Sequence, residues 1–369
     1  MVGPGEQGCE LDRLDGIGSA GVSAIVVSYN GRRYLDDCLR TVLEQLVPGD
    51  ELIVVDNAST DDSPDLVRER YPEARLVRNT ENRGFAAACN RGARLASGEV
   101  LVFLNQDTWV QPGWLWALID CLQREETVGL TTSQVLMMSD PDRVHLCGQD
   151  VHFTGLVFGR GYAMRATSLQ DACDVNAISG GSFAIRRKLW EKLGGFDETL
   201  YMYYEDTDLS WRAQMAGYRC RYAPASQVLH DYRPDSPSDS RLYYTFRNRW
   251  LLLLKNWRLP TLALLTPAFL VAEMLELGLA LKVGRRGIRA KARSYGWIAT
   301  HLGAVRRMRA AAQAGRTVSD AEILAKYLVI LQPQEMPMRA VGNLCIAACN
   351  VLFALNYHIV HALCRLARL

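Results

Sequence analysis

Among the ten cysteines of this 369-residue chain, no two form a Cys-x-x-Cys pair and none has metal-ligand spacing; Cys345 and Cys349 are separated by three residues. That argues against a thiolate metal site and a disulfide framework, and leaves scattered thiols suited to a reducing compartment. Net charge is also scarce: the formal balance is +2, so overall electrostatics names no partner. The opening MVGPGEQGCELDRLDGIGSAG has acids and glycines where a signal peptide needs an apolar core, and residues 1–20 read as a loose tail. What remains is the composition of a soluble globular protein, 49% hydrophobic and 22% charged, long enough for a full α/β core and a second region.

The first 110 residues alternate short apolar runs with helical patterns. Strands are expected at Val22 to Ser28, Glu51 to Val55, Ala74 to Arg78 and Val100 to Leu104. Helices are expected at Arg33 to Gln45, Ser63 to Tyr71, with Thr60 or Asp61 as cap, and Ala86 to Ala96. This is the pattern of a doubly wound, mostly parallel sheet. A helix at Trp114 to Arg124 follows, then strands near Val128 to Met137 and Val151 to Phe158, a helix at Arg186 to Leu193, and one headed by Glu205-Asp206-Thr207-Asp208. A strand near Tyr218 to Tyr222 and a run at Gln227 to Leu229 end at His230. The second half therefore reads as mixed and partly antiparallel.

Val100 to Leu104 is the pivotal run, because it ends on Asn105-Gln106-Asp107. Open α/β sheets bind ligands at the carboxyl ends of their strands, and a carboxylate there can hold a hard cation that neutralises a diphosphate. The bland reading is an Asx turn. Likewise Glu205, Asp206 and Asp208 are either catalytic acids or acids complementing a helix dipole, Asp208 being the best candidate for the latter. Gly180 and Gly181 line a pocket with backbone or mark a tight turn.

The ordered set Ser28-Tyr29-Asn30, Val54-Val55-Asp56-Asn57-Ala58-Ser59, Asn82-Arg83-Gly84 with Asn90, Asn105-Gln106-Asp107, Gly194-Gly195-Phe196-Asp197, Glu205-Asp206 and His230 resembles glycosyltransferase family 2 and its GT-A fold. Within it, the Asn-Gln-Asp triplet and the segment Tyr244 to Lys255 are similar to rhamnosyltransferase-like enzymes of bacterial cell-surface polysaccharides. The resemblance implies a GT-A catalytic domain at 21–235, with a nucleotide-sugar half at about 21–110 and an acceptor half at about 111–235. It implies an inverting, metal-dependent transfer of a sugar, rhamnose from dTDP-rhamnose first and UDP-sugars next, to a hydroxyl of a glycan or lipid-linked glycan.

On the resemblance, Asp206 is the general base, and Ser28, Tyr29, Asn30, Asp56, Asn57, Arg83, Gly84, Asn90 and Gln106 bind the donor nucleotide. Asp56 would accept the imide N–H of a uracil or thymine from a solvent-facing strand end. Asp107 and His230 hold Mn²⁺ or Mg²⁺, the imidazole favouring Mn²⁺, and Gly180, Gly181 and Glu205 contact the acceptor. Asn105 departs from the family's acidic triplet and removes one carboxylate from the ligand set. Two rivals follow. A sugar nucleotidyltransferase needs a glycine-rich basic loop, and VSYNGRRYL has one glycine. A catalytically silent GT-A scaffold would have no need of Asp56, Asp107, Asp206 and His230.

Residues 236–369 read as a helical C-terminal region following a Pro-, Ser- and Asp-rich linker at Arg233 to Asp239. Pro260 to Leu281 and Val341 to Leu363 are apolar; Glu273 and Glu276 argue against spanning by the first. Lys282 to Arg316 holds ten Lys or Arg and no acid. Apolar segments beside a basic block imply helices lying on an anionic membrane, cytoplasmic and peripheral on its inner face. A helical domain packing on the catalytic core or on a second copy is the equal alternative, with spanning by Val341 to Leu363 a minority reading. No nucleic-acid motif accompanies the basic block.

Overall fold

The computed structural model describes residues 21–231, 238–331, 340–367 and 369. The expected tail at 1–20 and most of the expected linker lie outside the described residues. Four strands, β1 (Val22–Ser28), β2 (Glu51–Asp56), β3 (Arg75–Arg78) and β4 (Val100–Asn105), pair in parallel, in the order β4-β1-β2-β3. Helices α1 (Arg32–Leu43), α2 (Ser63–Arg70) and α3 (Gly84–Leu95) connect them. Alternating side chains explain why both faces are covered. Ala24, Val26, Leu52 and Val54 meet α1, α2 and α4 (Trp114–Gln123), while Ile25, Val27, Ile53 and Val55 meet α3. Gly92 lets α3 lie close on the sheet, since a Cβ there would come within 2.5 Å of Ile25.

Beyond β4 the sheet turns mixed. The remaining strands are β5 (Thr108–Val110), β6 (Val128–Met137), β7 (Asp140–Leu146), β8 (Gln149–Val151), β9 (Val157–Gly159), β10 (Cys173–Val175), β11 (Ser182–Arg186) and β12 (Arg219–His230). β11 lies antiparallel between β4 and β6, and β12 pairs parallel to β6 and antiparallel to β5 and β10. Mostly parallel pairing thus holds for the first half alone. The strand expected at Val151 to Phe158 is instead the end of β8, a turn, and the start of β9. The two runs expected after Tyr218 are one long strand, irregular between Ala223 and Gln227. Helix α2 starts after Asp62 rather than under a Thr60 or Asp61 cap, although the Asp61 carboxylate does accept the Ser63 N–H (3.1 Å).

Helices α5 (Arg187–Leu193) and α6 (Glu205–Met215) complete the sheet's cover. The C-terminal region is α7 (Asp239–Asn256), α8 (Leu259–Val283), α9 (Arg285–Thr300), α10 (Leu302–Ala314), α11 (Asp320–Leu324) and α12 (Ala340–Leu366). It shares one apolar cluster with the catalytic half: Trp211 and Met215 of α6 pack with Leu252, Leu253, Trp257, Phe269 and Phe353. Glu273 and Glu276 turn inward and pair with Arg249 and Lys291, which lets an otherwise apolar helix carry two acids.

Candidate active site

The carboxyl ends of β1, β2 and β4 are laced together by short polar side chains. Gln106 accepts the Tyr29 N–H at Oε1 (2.9 Å) and donates from Nε2 to the Tyr29 carbonyl (3.1 Å). Asn30, at φ +49, accepts the Thr60 N–H (2.8 Å) and donates its own N–H to Ser59 Oγ (2.9 Å). Gln106 and Asn30 therefore shape this edge through the backbone. The hydroxyl of Ser28 is buried with no partner among the described residues, and the next residue, Tyr29, is exposed.

Asp56 differs from expectation. It is 1% exposed rather than solvent-facing, and its carboxylate accepts from Ser59 N–H (3.2 Å) and from Arg78 Nε (3.1 Å). Asn57 is buried with its amide spent on Asn79, Asn82, Arg83 and Gly84. Asn90 pins the turn after α5, accepting the Phe196 N–H and donating to the Phe196 carbonyl and Glu198. In this structure both amides hold the surrounding loops, as buried amides satisfy their hydrogen bonds internally. Gly84 has φ +83, and a Cβ there would lie 2.5 Å from the Tyr201 carbonyl, so its close approach is to this turn. Arg83 projects outward, 3.7 Å from Glu198.

Asp107 follows β4, and its Oδ2 lies 3.4 Å from His230 Nε2. Register explains the meeting: β12 pairs His230 with Thr108, the residue after Asp107. Behind His230 stands His145 of β7, stacked at 5.0 Å with the two Nδ1 atoms 3.1 Å apart. Burial first, then the neighbouring imidazole, push the pKa of His145 down to about 3, so it stays neutral. The sequence reading missed His145, because only the β6–β7 hairpin brings it here. Among the described residues no three His, Cys, Asp or Glu side chains form a ready-made cage. One partly exposed carboxylate and one imidazole do suit a cation that takes its other ligands from phosphate and water.

Asp206 lies on the first turn of α6, joined to the same strand end through Gly180 and Gly181. Its Oδ2 accepts from Gly180 N–H (2.9 Å) and Gln149 Nε2 (2.8 Å), while the Gly181 carbonyl takes the Asn105 N–H (3.1 Å). A side chain at residue 180 would press within 3.2 Å of the carboxylate, which accounts for the glycine. Burial raises the Asp206 pKa, against the opposing hydrogen bonds from Gly180 and Thr207. Glu205 is buried with Oε2 unpartnered among the described residues; burial and the Asp206 charge raise its pKa too. Such raised carboxyl groups are what a proton-accepting site requires.

Asp208 sits in the first turn of α6, where the dipole reading places it, and it is an ion-pair partner as well. It is fully buried between Lys255 Nζ (3.0 Å) and Arg212 Nε (2.8 Å), and Lys255 also pairs with Asp197 (2.6 Å). The turn before α6 carries Tyr201, Tyr203 and Tyr204 at φ +67, +65 and +71. Each such residue costs on the order of 1–3 kcal/mol. The sequence offered no sign of that strain.

Residues 23–194 match the family model Glycosyl transferase family 2, a span that stops before α6 and His230. The N-acetylglucosaminyl-diphospho-decaprenol L-rhamnosyltransferase of Mycobacterium tuberculosis is 26% identical over 295 residues, covering 71% of this chain and 94% of that one. The poly-beta-1,6-N-acetyl-D-glucosamine synthase of Staphylococcus epidermidis is 25% identical over 206 residues, 55% of this chain and 48% of its own. Among solved structures, S. aureus TarS 1-349 in complex with UDP-GlcNAc superposes with a TM-score of 0.54 at 16% identity, covering 94% of this chain and 92% of that one. GalNAc-T7 with UDP, GalNAc and Mn²⁺ gives 0.56 at 19% identity over 69% of this chain, which spans half of that one. These likenesses, with the mixed sheet and its laced strand ends, identify the chain as a glycosyltransferase whose GT-A fold carries a domain of glycosyl transferase family 2.

Proposed function

We propose that this enzyme transfers rhamnose from dTDP-rhamnose, with inversion, to a hydroxyl of a lipid-linked or cell-surface glycan. The observation that carries the reading is convergence on the end of β4: Asp107 with His230 follows it, and Asp206 is tied to it through Gly180 and Gly181. Asp107 and His230 would hold Mn²⁺ or Mg²⁺, which when bound neutralises the diphosphate. Asp206 accepts the proton of the acceptor hydroxyl as its oxygen attacks the anomeric carbon from the face opposite the diphosphate. The new C–O bond forms as the bond to the diphosphate breaks, and inversion follows from that geometry. Glu205 and the backbone of Gly180 and Gly181 face the acceptor side, and Arg83 faces the donor. Asp56 receives the base once Arg78 moves off its carboxylate.

Rhamnose and a polyprenyl diphosphate acceptor are supported by the name of the mycobacterial relative. A lipid-linked acceptor also suits the C-terminal surface. Leu270, Met274, Leu277 and Leu281 form an exposed stripe on α8, and Leu344, Val351, Leu355 and Ile359 another on α12. Both helices are long and apolar enough to cross a membrane. Lying flat is the reading favoured here, because Glu273 and Glu276 face inward while exposed Lys282, Arg285 and Arg289 adjoin the stripe. The enzyme would then work on the cytoplasmic face, where anionic lipid is exposed.

Thermal stabilisation by dTDP, UDP and GDP, each with and without Mn²⁺, tests the donor site in wild type and Asp107→Ala. Metal-dependent stabilisation by dTDP that is lost in the variant is expected; stabilisation by UDP alone would move the donor to a UDP-sugar. No response to any nucleotide would favour the silent scaffold. Asp206→Asn should keep nucleotide binding and lose transfer by about 10²–10⁴-fold; retained transfer would sink the base assignment.

A further inference from the structure

The turn at 201–204 holds a backbone its residues do not favour. Three tyrosines have positive φ there, a region that only Gly, Asn and Asp visit readily. Tyr201, with ψ −64, has the rarer and more strained of the two γ-turn conformations. Such a backbone persists only where its surroundings over-determine it.

Those surroundings are the middle of α7. Asn248, 0% exposed, donates from Nδ2 toward three successive parts of the turn: the carbonyls of Leu200 (2.9 Å), Met202 (3.0 Å) and Tyr203 (2.7 Å). Its Oδ1 accepts from Arg247 Nε (2.9 Å), which orients the amide so that the nitrogen faces the carbonyls. Arg247 adds bonds to the carbonyls of Thr199 (2.6 Å) and Leu200 (3.1 Å). On the outer side the Tyr201 ring stacks on Tyr244 at 4.9 Å, and its hydroxyl donates to Asn82 (3.1 Å). The turn runs directly into Glu205 and Asp206.

We propose that Asn248 is a positioning residue for sugar transfer: by gripping the carbonyls of the strained turn it fixes the angle at which α6 delivers Asp206 to Gly180 and Gly181. Without that grip the tyrosines relax toward negative φ and the acid pair leaves its place. Asn248 touches no reacting atom; it acts through the turn.

The test compares full-length wild type, Asn248→Ala, Tyr203→Asn and the double variant. Tyr203→Asn replaces a strained residue by one that tolerates positive φ. Amide hydrogen exchange reads the turn: peptides covering 200–210 should exchange faster in Asn248→Ala, those of β1, β2 and β4 should not, and the double variant should regain protection. Transfer from dTDP-rhamnose to an N-acetylglucosaminyl diphosphoryl polyprenol reads the consequence. There kcat should fall about a hundredfold with the donor KM unchanged within about twofold, and recover most of the loss in the double variant. Unchanged exchange at 200–210, faster exchange across the whole sheet, or a parallel loss of donor affinity would overturn the proposal. The transfer arm rests on the function proposed above and the exchange arm does not. Wild type inactive on this pair would refute that function, and exchange alone would then decide the role of Asn248. Should Asn248→Ala prove insoluble, recovery of soluble protein by adding Tyr203→Asn supports the grip, and failure to recover it overturns it.

Discussion

The buried charge cluster around Asp208 gives the sharpest quantitative expectation. Asp208→Asn keeps the shape and removes the anion, leaving Lys255 and Arg212 facing a neutral amide. Breaking a buried ion pair costs about 3–5 kcal/mol. The lower end applies, because Lys255 retains Asp197 and Arg212 retains the carbonyls of Leu193 and Gly195. With an unfolding entropy of about 2.1 cal/mol/K per residue over the 369-residue chain, about 3 kcal/mol lowers the melting temperature by about 4 °C near neutral pH. The pH dependence is a second signature. Burial pushes the Asp208 carboxyl up, but the Lys255 ammonium and Arg212 guanidinium outweigh it and the net shift is downward. A carboxyl lowered on folding stabilises fully above its unfolded pKa, and that contribution disappears as the pH falls through the folded value. Differential scanning calorimetry of both proteins should therefore show the gap fully open above about pH 5 and closing in stronger acid. A drop below about 1 °C, or a gap that does not change with pH, would refute the account of the cluster.

The Glu205 and Asp206 pair works in the opposite sense. A carboxyl raised on folding stabilises below its unfolded pKa and loses that contribution as the pH rises through the folded value, so Glu205→Gln should melt higher than wild type under alkaline conditions, with the gain shrinking toward about pH 5. The same raised values should place the acid limb of the transfer profile above the ordinary carboxylate range, measured as kcat against pH. His145→Phe keeps a ring against His230 but removes the nitrogen beside it, and should weaken Mn²⁺-dependent nucleotide binding by about 10–100-fold in titration calorimetry. Met274→Glu with Leu277→Glu alters only exposed side chains; flotation with anionic vesicles should be lost while the melting temperature stays put, and unchanged flotation would remove the membrane reading.

How much of this was legible before the structure follows from what each signal depends on. Strands β1, β2 and β4 are apolar runs buried on both faces; they start where the sequence placed them, and β2 and β4 run one residue further, to Asp56 and Asn105. Asp107 stood out because it follows the end of a strand, and Asp206 because it holds the second place of the Glu205-Asp206 pair in the resemblance. Asn57 and Asn90 match family motifs equally well, yet a motif does not name the loop atoms their amides bond; only three-dimensional neighbours show those. His145 was invisible because a lone histidine in an irregular stretch has no local mark. The positive φ of three tyrosines was hidden for the opposite reason, since their intrinsic preference points away from it. Tyr244 to Lys255 was noticed only as a likeness; that Asn248 grips the turn before the acid helix and Lys255 pairs with Asp208 inside it depends on contacts across almost fifty positions of sequence.

The inward reach of α7 has a consequence for anyone who would recombine such enzymes. A cut after β12 looks like a natural seam, yet it would take Lys255 from Asp208 and Asp197, and Trp257 from Trp211. The helical region is thus an inner wall of the catalytic half. A chimera that trades tails between relatives to change acceptor should exchange everything from the Phe196-Asp197 turn onward; one spliced after His230 inherits a wall fitted to another room.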